Sequence, residues 1–108
     1  MRLVTYSDGQ GLRRAGALVE SDQRIVDLLR ADESLHGSRR PEFASVLALV
    51  ESGEDALAAA AGMVERAPAG SVVERAEVEL LAPIQPPPQM RDCSCFELHL
   101  VQCYEAAR

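Results

Sequence analysis

The sequence predicts an α+β fold, and three observations carry that expectation. Short β-type runs separated by turn residues occupy positions 2–28, apolar residues recur at helical spacing over 43–64, and four prolines fall within the nine residues 82–90. The first two give short antiparallel strands and a helical hairpin in a small leading unit, residues 1–81. The third marks a Pro-rich linker, residues 82–91, between that unit and a final helix over residues 92–108.

Arg2–Tyr6 (RLVTY) is a short β-type run, and Ser7-Asp8-Gly9-Gln10-Gly11 is turn chemistry. Ala15–Val19 (AGALV) and Arg24–Leu28 (RIVDL) flank Glu20-Ser21-Asp22-Gln23, the pattern of a tight hairpin. The small side chains of AGALV make it the least secure of the three strands. Leu29–Arg40 is polar and irregular, and yields no element. Phe43, Val46, Leu47 and Val50 then fall at i, i+3, i+4, i+7 on one helical face. Pro41 suits the first turn and Gly53 the left-handed position past the end. Leu57, Ala60, Ala61 and Val64 repeat the spacing. Glu54 and Asp55 near the start and Arg66 near the end complement the helix dipole, and Pro68 forbids continuation. A connection of about four residues makes the two helices an antiparallel hairpin.

Val78 and Leu80 alternate with Glu77 and Glu79, which predicts one more half-buried strand. Each proline of Ala82–Met90 fixes φ and removes a donor, so that segment is extended and reads as a boundary between two units. Ser94–Arg108 (SCFELHLVQCYEAAR) reads as a helix with Phe96, Leu100, Cys103 and Ala107 on an apolar face. No Gly, Asn or Pro stops it before Arg108. A lone helix after a stiff spacer has no partner layer, so the expectation is that the chain is the front part of something larger, or that this helix packs on another subunit.

The 108 residues are 47% hydrophobic and 26% charged, an ordinary globular balance for one domain. All 11 basic residues are arginines, no run of them forms a patch, and the net charge is −6, which argues against a nucleic-acid partner. No apolar stretch is long enough to span a membrane, and Met1–Tyr6 lacks the apolar core of a secretory signal. Cys93, Cys95 and Cys103 are odd in number and crowded at one end, which points to reduced thiols and a cytoplasmic setting rather than disulfides.

Reactive groups concentrate in Arg91–His99 (RDCSCFELH). If Asp92 begins the helix, the seven-residue separation returns His99 to nearly the same face two turns on. A carboxylate and an imidazole on one side of a cleft suit a hard cation with a base beside it. The plainer readings are an N-cap for Asp92 and a structural histidine for His99. Cys93, Cys95, His99 and Cys103 also make a nominal Cys3His zinc set. Cys95, His99 and Cys103 recur every four residues, however, so one helix presents a row where a tetrahedral site needs convergence. Small buried or half-buried thiols are the plainer account. His36, in Leu35-His36-Gly37-Ser38, reads as solvated, and Glu97 and Glu105 as solvent-facing. Ser94 has no neighbouring base, and no phosphate-binding glycine motif occurs.

The segment APIQPPPQMRDCSCFELHL resembles the start of the catalytic domain in the fumarylacetoacetate hydrolase family, where a Pro-rich "LLAPI.PPP" run precedes "RDF..FE.H". RLVTY, the glycine turn, GALVESDQRIVDL and LALVESGEDAL resemble, in the same order, the small leading domain of such proteins. The resemblance covers the whole chain, and its specific part is residues 78–100. It implies metal-dependent hydrolysis or decarboxylation of small 1,3-dicarbonyl or oxo-acid substrates in a larger, mostly β catalytic domain, of which residues 92–108 would be the first helix. It further implies Mg²⁺ or Ca²⁺ held by carboxylates, and homodimers. By motif position Asp92 matches the first metal-ligand aspartate, and His99 the general base that activates water. Cys93 and Ser94 stand where the family has an aromatic pair that contacts substrate. The family's Glu-x-Glu ligands and later aspartate have no counterpart here, so the 108 residues are expected to be inactive alone. Two other classes of function compete: a non-catalytic interaction or lid domain, and a small zinc-stabilised module.

Overall fold

A computed structural model of the chain describes residues 1–91 and 97–107. Strands β1 (Arg2–Ser7), β2 (Arg13–Val19) and β3 (Arg24–Asp27) form an antiparallel meander. β4 (Val72–Glu74) pairs with the outer edge of β3 and β5 (Glu79–Leu81) with that of β1, so the five-stranded antiparallel sheet runs β4-β3-β2-β1-β5. Helices α1 (Leu28–His36), α2 (Val46–Glu51) and α3 (Glu54–Arg66) cover one face. The α+β fold is as the sequence predicts.

Strand periodicity sorts side chains onto the two faces. Leu3, Ala17, Val26 and Val72 lie opposite one another across four strands, and this row faces the helices. There Val26, Leu28, Phe43, Leu49, Ala60 and Met63 form the buried core. Val4, Gly16 and Asp27 form a row on the other face, flanked by Tyr6 and Ile25. A Cβ on Gly16 would lie 2.5 Å from Ile25 Cγ2 and 2.9 Å from the Val26 carbonyl oxygen, so only glycine lets these side chains close over the sheet.

Several elements differ from expectation, each for a local reason. AGALV, the least secure strand on propensity, is central: Ala15, Gly16 and Ala17 are all buried, and small residues are what close packing on both faces requires. The third strand stops at Asp27, one residue early, because the Asp27 side chain accepts the Arg30 N–H and caps a helix. That helix, α1, occupies most of the segment left without an element, and Gly37 ends it with φ 71°. Pro41 opens a 3₁₀ turn, Pro41–Phe43, while α2 begins only after Ser45, whose extended backbone (φ −150°) breaks the helical phase. The buried face of α2 is therefore Val46 and Leu49, and Val50 is exposed. Only Ser52 and Gly53 separate α2 from α3. Gly53, at φ 87° and ψ −168°, caps the start of α3 instead of ending α2 in the left-handed well. On α3, Ala60 is buried as expected, and Met63 is the other buried side chain. The final sheet strand is β5, one residue later than the Val78–Leu80 alternation suggests, and β4 has no counterpart in the sequence reading.

The first part of the Pro-rich segment lies against the sheet. Thr5 Oγ1 donates to the Pro83 carbonyl at 2.6 Å, Arg13 donates to the Gln85 carbonyl at 2.9 Å, and Ile84 packs on the core. Helix α4 (Glu97–Ala106) follows. None of its residues is buried, and Leu98, Val101 and Tyr104 are exposed while Leu100 is half-buried. At 100° per residue these apolar side chains spread around the axis. The described part of the helix thus lacks the single apolar stripe expected from Leu100, Cys103 and Ala107. No helix among the described residues is long and apolar enough to cross a membrane.

Candidate functional site

His99 sits in the first turns of α4, in a run of good helix formers, and its side chain is exposed. Four residues on, Cys103 lies on the same stripe, and its Sγ is 3.6 Å from His99 Nε2. This is the one pair of reactive groups from the sequence analysis that the described structure brings together. Asp92, Cys93, Ser94 and Cys95, and with them the carboxylate half of the Asp92–His99 pair, lie outside the described residues. Arg91 is exposed.

Among the described residues no three His, Cys, Asp or Glu side chains converge as ligands for a metal ion. A hard cation takes six to eight oxygens, or near-octahedral coordination with several waters, and His99 with Cys103 offers none. These residues do not fit Mg²⁺ or Ca²⁺ by themselves. What the arrangement provides is an imidazole open to solvent beside a thiol. The ring can accept a proton from water at the nitrogen not engaged with sulfur, or exchange one with the thiol.

Two carboxylates outside the Arg91–His99 segment occupy more organised surroundings. Asp27 is fully buried and accepts from the Tyr6 hydroxyl, from Arg14 Nε and, at 3.1 Å, from a second Arg14 nitrogen. The Tyr6 hydroxyl and Arg14 Nε share Oδ2, and Oδ1 takes the second Arg14 nitrogen together with the Arg30 backbone N–H at 2.9 Å. Burial alone pushes this carboxyl up, but the hydrogen bonds from Arg14, Tyr6 and Arg30 outweigh it and hold the group below the usual carboxylate range. Burial, then the Asp27 hydrogen bond, pushes the Tyr6 phenol up, and the same carboxylate raises Arg14. Asp32, also fully buried, accepts the Arg40 N–H at 2.9 Å, the Arg40 guanidinium at 2.8 Å and His36 Nδ1 at 3.0 Å. Burial raises this carboxyl too, and the Arg40 bonds bring it down below its ordinary value. Every acceptor of these two groups has a donor, so they knit the fold and have no free valence for a substrate.

His36, which reads as solvated in the sequence, is thus half-exposed with one ring nitrogen on a buried acid. Asp27 could have been found from an acid placed where a β-run meets a helix, the N-cap pattern. Asp32 carries no comparable signal, because its partner Arg40 is brought back by the turn at Gly37.

A groove of about 300 Å³ opens between the end of β1 and β2, the segment before α2, and the docked prolines. Its walls are mainly apolar, with Leu47, Ile84 and Pro86 among them, and Arg13, Thr5 and Ser45 supply polar atoms. No family model and no curated protein compared with the chain matches it.

Proposed function

We propose that the chain is the leading portion of a metal-dependent enzyme of the fumarylacetoacetate hydrolase type, acting in the cytoplasm on small 1,3-dicarbonyl or oxo-acid substrates. The observation that carries the reading is the segment Arg91–His99, RDCSCFELH, standing directly after a Pro-rich run. It is supported by the order of elements, since the meander, helices and last sheet strand precede that run as the resemblance implies. The exposure of His99 on α4 also suits a base that must meet water.

In this reading His99 is the general base. It takes a proton from water as the water oxygen attacks a substrate carbonyl, and it returns a proton to the carbon released when the C–C bond breaks. Asp92 is one carboxylate ligand of Mg²⁺ or Ca²⁺, which when bound would polarise the carbonyl and stabilise negative charge on oxygen. One carboxylate does not fill such a coordination shell, so the reading requires further acids downstream, a Glu-x-Glu pair within about another 100 residues and a later aspartate. The complete protein is proposed to be a homodimer.

The test is made on that complete protein. His99→Ala should lower turnover by about 10²–10⁴-fold, the range of a general base, with metal affinity unchanged by calorimetry. Asp92→Ala should weaken the metal itself. Turnover by His99→Ala at the wild-type rate ends the assignment, and an intact metal affinity in Asp92→Ala removes its ligand role.

A further inference from the structure

We propose that the groove beside Arg13 binds a small carboxylate with a compact apolar body. Its lining contains no residue from the His99 segment, so the proposal stands or falls apart from the enzyme reading.

The groove is built by three separated pieces of chain. The end of the sheet contributes Thr5 and Arg13, which belong to the helix-covered face. Ala44, Ser45 and Leu47 form a second wall, and the docked segment from Ala82 to Pro86 forms the third. Two hydrogen bonds hold that third wall in place, Thr5 to the Pro83 carbonyl and Arg13 to the Gln85 carbonyl. The space is therefore shaped before a ligand arrives, and little ordering has to accompany binding. At about 300 Å³ it lies at the small end of ligand pockets, with room for about ten water volumes.

The chemistry of the walls selects the ligand. Leu47, Ile84 and Pro86 offer carbon surface, which favours an apolar body and gives little to a sugar or a nucleotide. Arg13 is exposed, uses one guanidinium nitrogen on the Gln85 carbonyl, and has no carboxylate within ion-pair distance among the described residues. Its remaining N–H groups keep the fork geometry that matches a carboxylate. Ser45 Oγ accepts the Ala48 N–H at 3.0 Å, which leaves its own proton to donate, and Thr5 Oγ1 keeps lone pairs after donating to Pro83. A cation and a hydroxyl donor at the rim of an apolar hollow fit one anionic oxygen pair with a short branched or cyclic tail. Inorganic phosphate would bring charge with no tail for the carbon surface, and a neutral hydrocarbon would leave Arg13 unused.

The probes are 4-methylpentanoate, its neutral amide and acetate, titrated into the ¹⁵N-labelled 108-residue chain and followed by amide shifts. The expected result is a dissociation constant of about 1 mM or tighter for 4-methylpentanoate, within reach of eight heavy atoms at ordinary ligand efficiency. Shifts should centre on Thr5, Arg13, Ser45 and Ile84. The amide and acetate should each bind at least about tenfold more weakly, one lacking the charge-assisted bond and the other the apolar body. Arg13→Gln should weaken the carboxylate by at least about tenfold and the amide by no more than about threefold, the smaller loss reflecting the weakened hold on the Gln85 carbonyl. Ala44→Phe, which fills the hollow, should weaken carboxylate and amide together. Equal affinity for acid and amide, shifts away from the groove, or saturation unaffected by both variants would overturn the proposal. A flat titration of the wild-type chain up to tens of millimolar would do the same.

Discussion

Replacing Asp27 with asparagine tests whether the buried carboxylate ties sheet and helix into one unit. The side chain is fully buried and takes four hydrogen bonds, one from Tyr6, two from Arg14 and one from the Arg30 backbone. Asparagine keeps an oxygen for the Arg30 N–H, so the helix cap survives. It loses the charge that neutralises Arg14, whose side chain is only 13% exposed, and it turns an amide donor toward the remaining donors. Removing one partner of a buried ion pair costs about 3–5 kcal/mol. The retained cap and the partial access of Arg14 to water put the expectation at the lower end, about 3 kcal/mol. Against a total of about 5–15 kcal/mol, that is a large loss. It corresponds to a fall in Tm of about 12–24 °C for a domain this size. Urea unfolding followed by far-ultraviolet dichroism measures it, with the midpoint lowered and the slope unchanged. Arg14→Met should cost a similar amount, and the double variant much less than the sum of the two. A loss below about 1 kcal/mol for Asp27→Asn, or strict additivity, would refute the claim that the charge pair matters here.

Asp27 and Asp32 are both held below the ordinary carboxylate range, so each contributes stability that is full above the unfolded-state pKa and is lost as pH falls through the folded value. Unfolding midpoints should therefore be flat above about pH 5 and drop steeply below about pH 4, and Asp27→Asn should show a shallower acid limb. Gly16→Ala should destabilise by about 1–3 kcal/mol by equilibrium unfolding, because the new methyl meets Ile25 at 2.5 Å and a backbone oxygen at 2.9 Å. A neutral result would mean the two faces of β2 are not packed as described. Asp32→Asn should cost less than Asp27→Asn, about 1–2 kcal/mol, since the Arg40 side chain is 39% exposed and rehydrates when freed. A larger loss than for Asp27→Asn would reverse the ranking of the two carboxylates.

What was legible in the sequence depended on whether a residue's reason for being there is local. The meander followed from β-runs around turn residues, and α3 from its spacing, its end charges and Pro68. A single helical phase carried from Phe43 through Val46 puts Val50 on the buried face. Ser45 resets that phase, and nothing in a hydrophobic pattern marks it. The helix at Leu28–His36 is not legible because its most informative residues, Asp32 and the returning Arg40, are polar groups that satisfy each other inside the fold. Gly16 and its alanine neighbours looked like weak strand formers and are in fact what allows both faces to close. For the candidate site, His99 and Cys103 meet as the four-residue spacing dictates, and the Asp92 side lies outside the described residues. The anchoring of Pro83 and Gln85 on the sheet had no local signal at all, since it joins residues more than 70 positions apart.

The pairing of β5 with β1 has a consequence for synthesis on the ribosome. The outer hydrogen-bonding edge of the first strand is completed only by Glu79–Leu81. Until those residues clear the exit tunnel, the nascent meander presents Thr5, Tyr6 and Ser7 as an open edge to whatever is nearby. Strand β1 thus emerges before the three helices that cover the sheet and is sealed on this edge only after them.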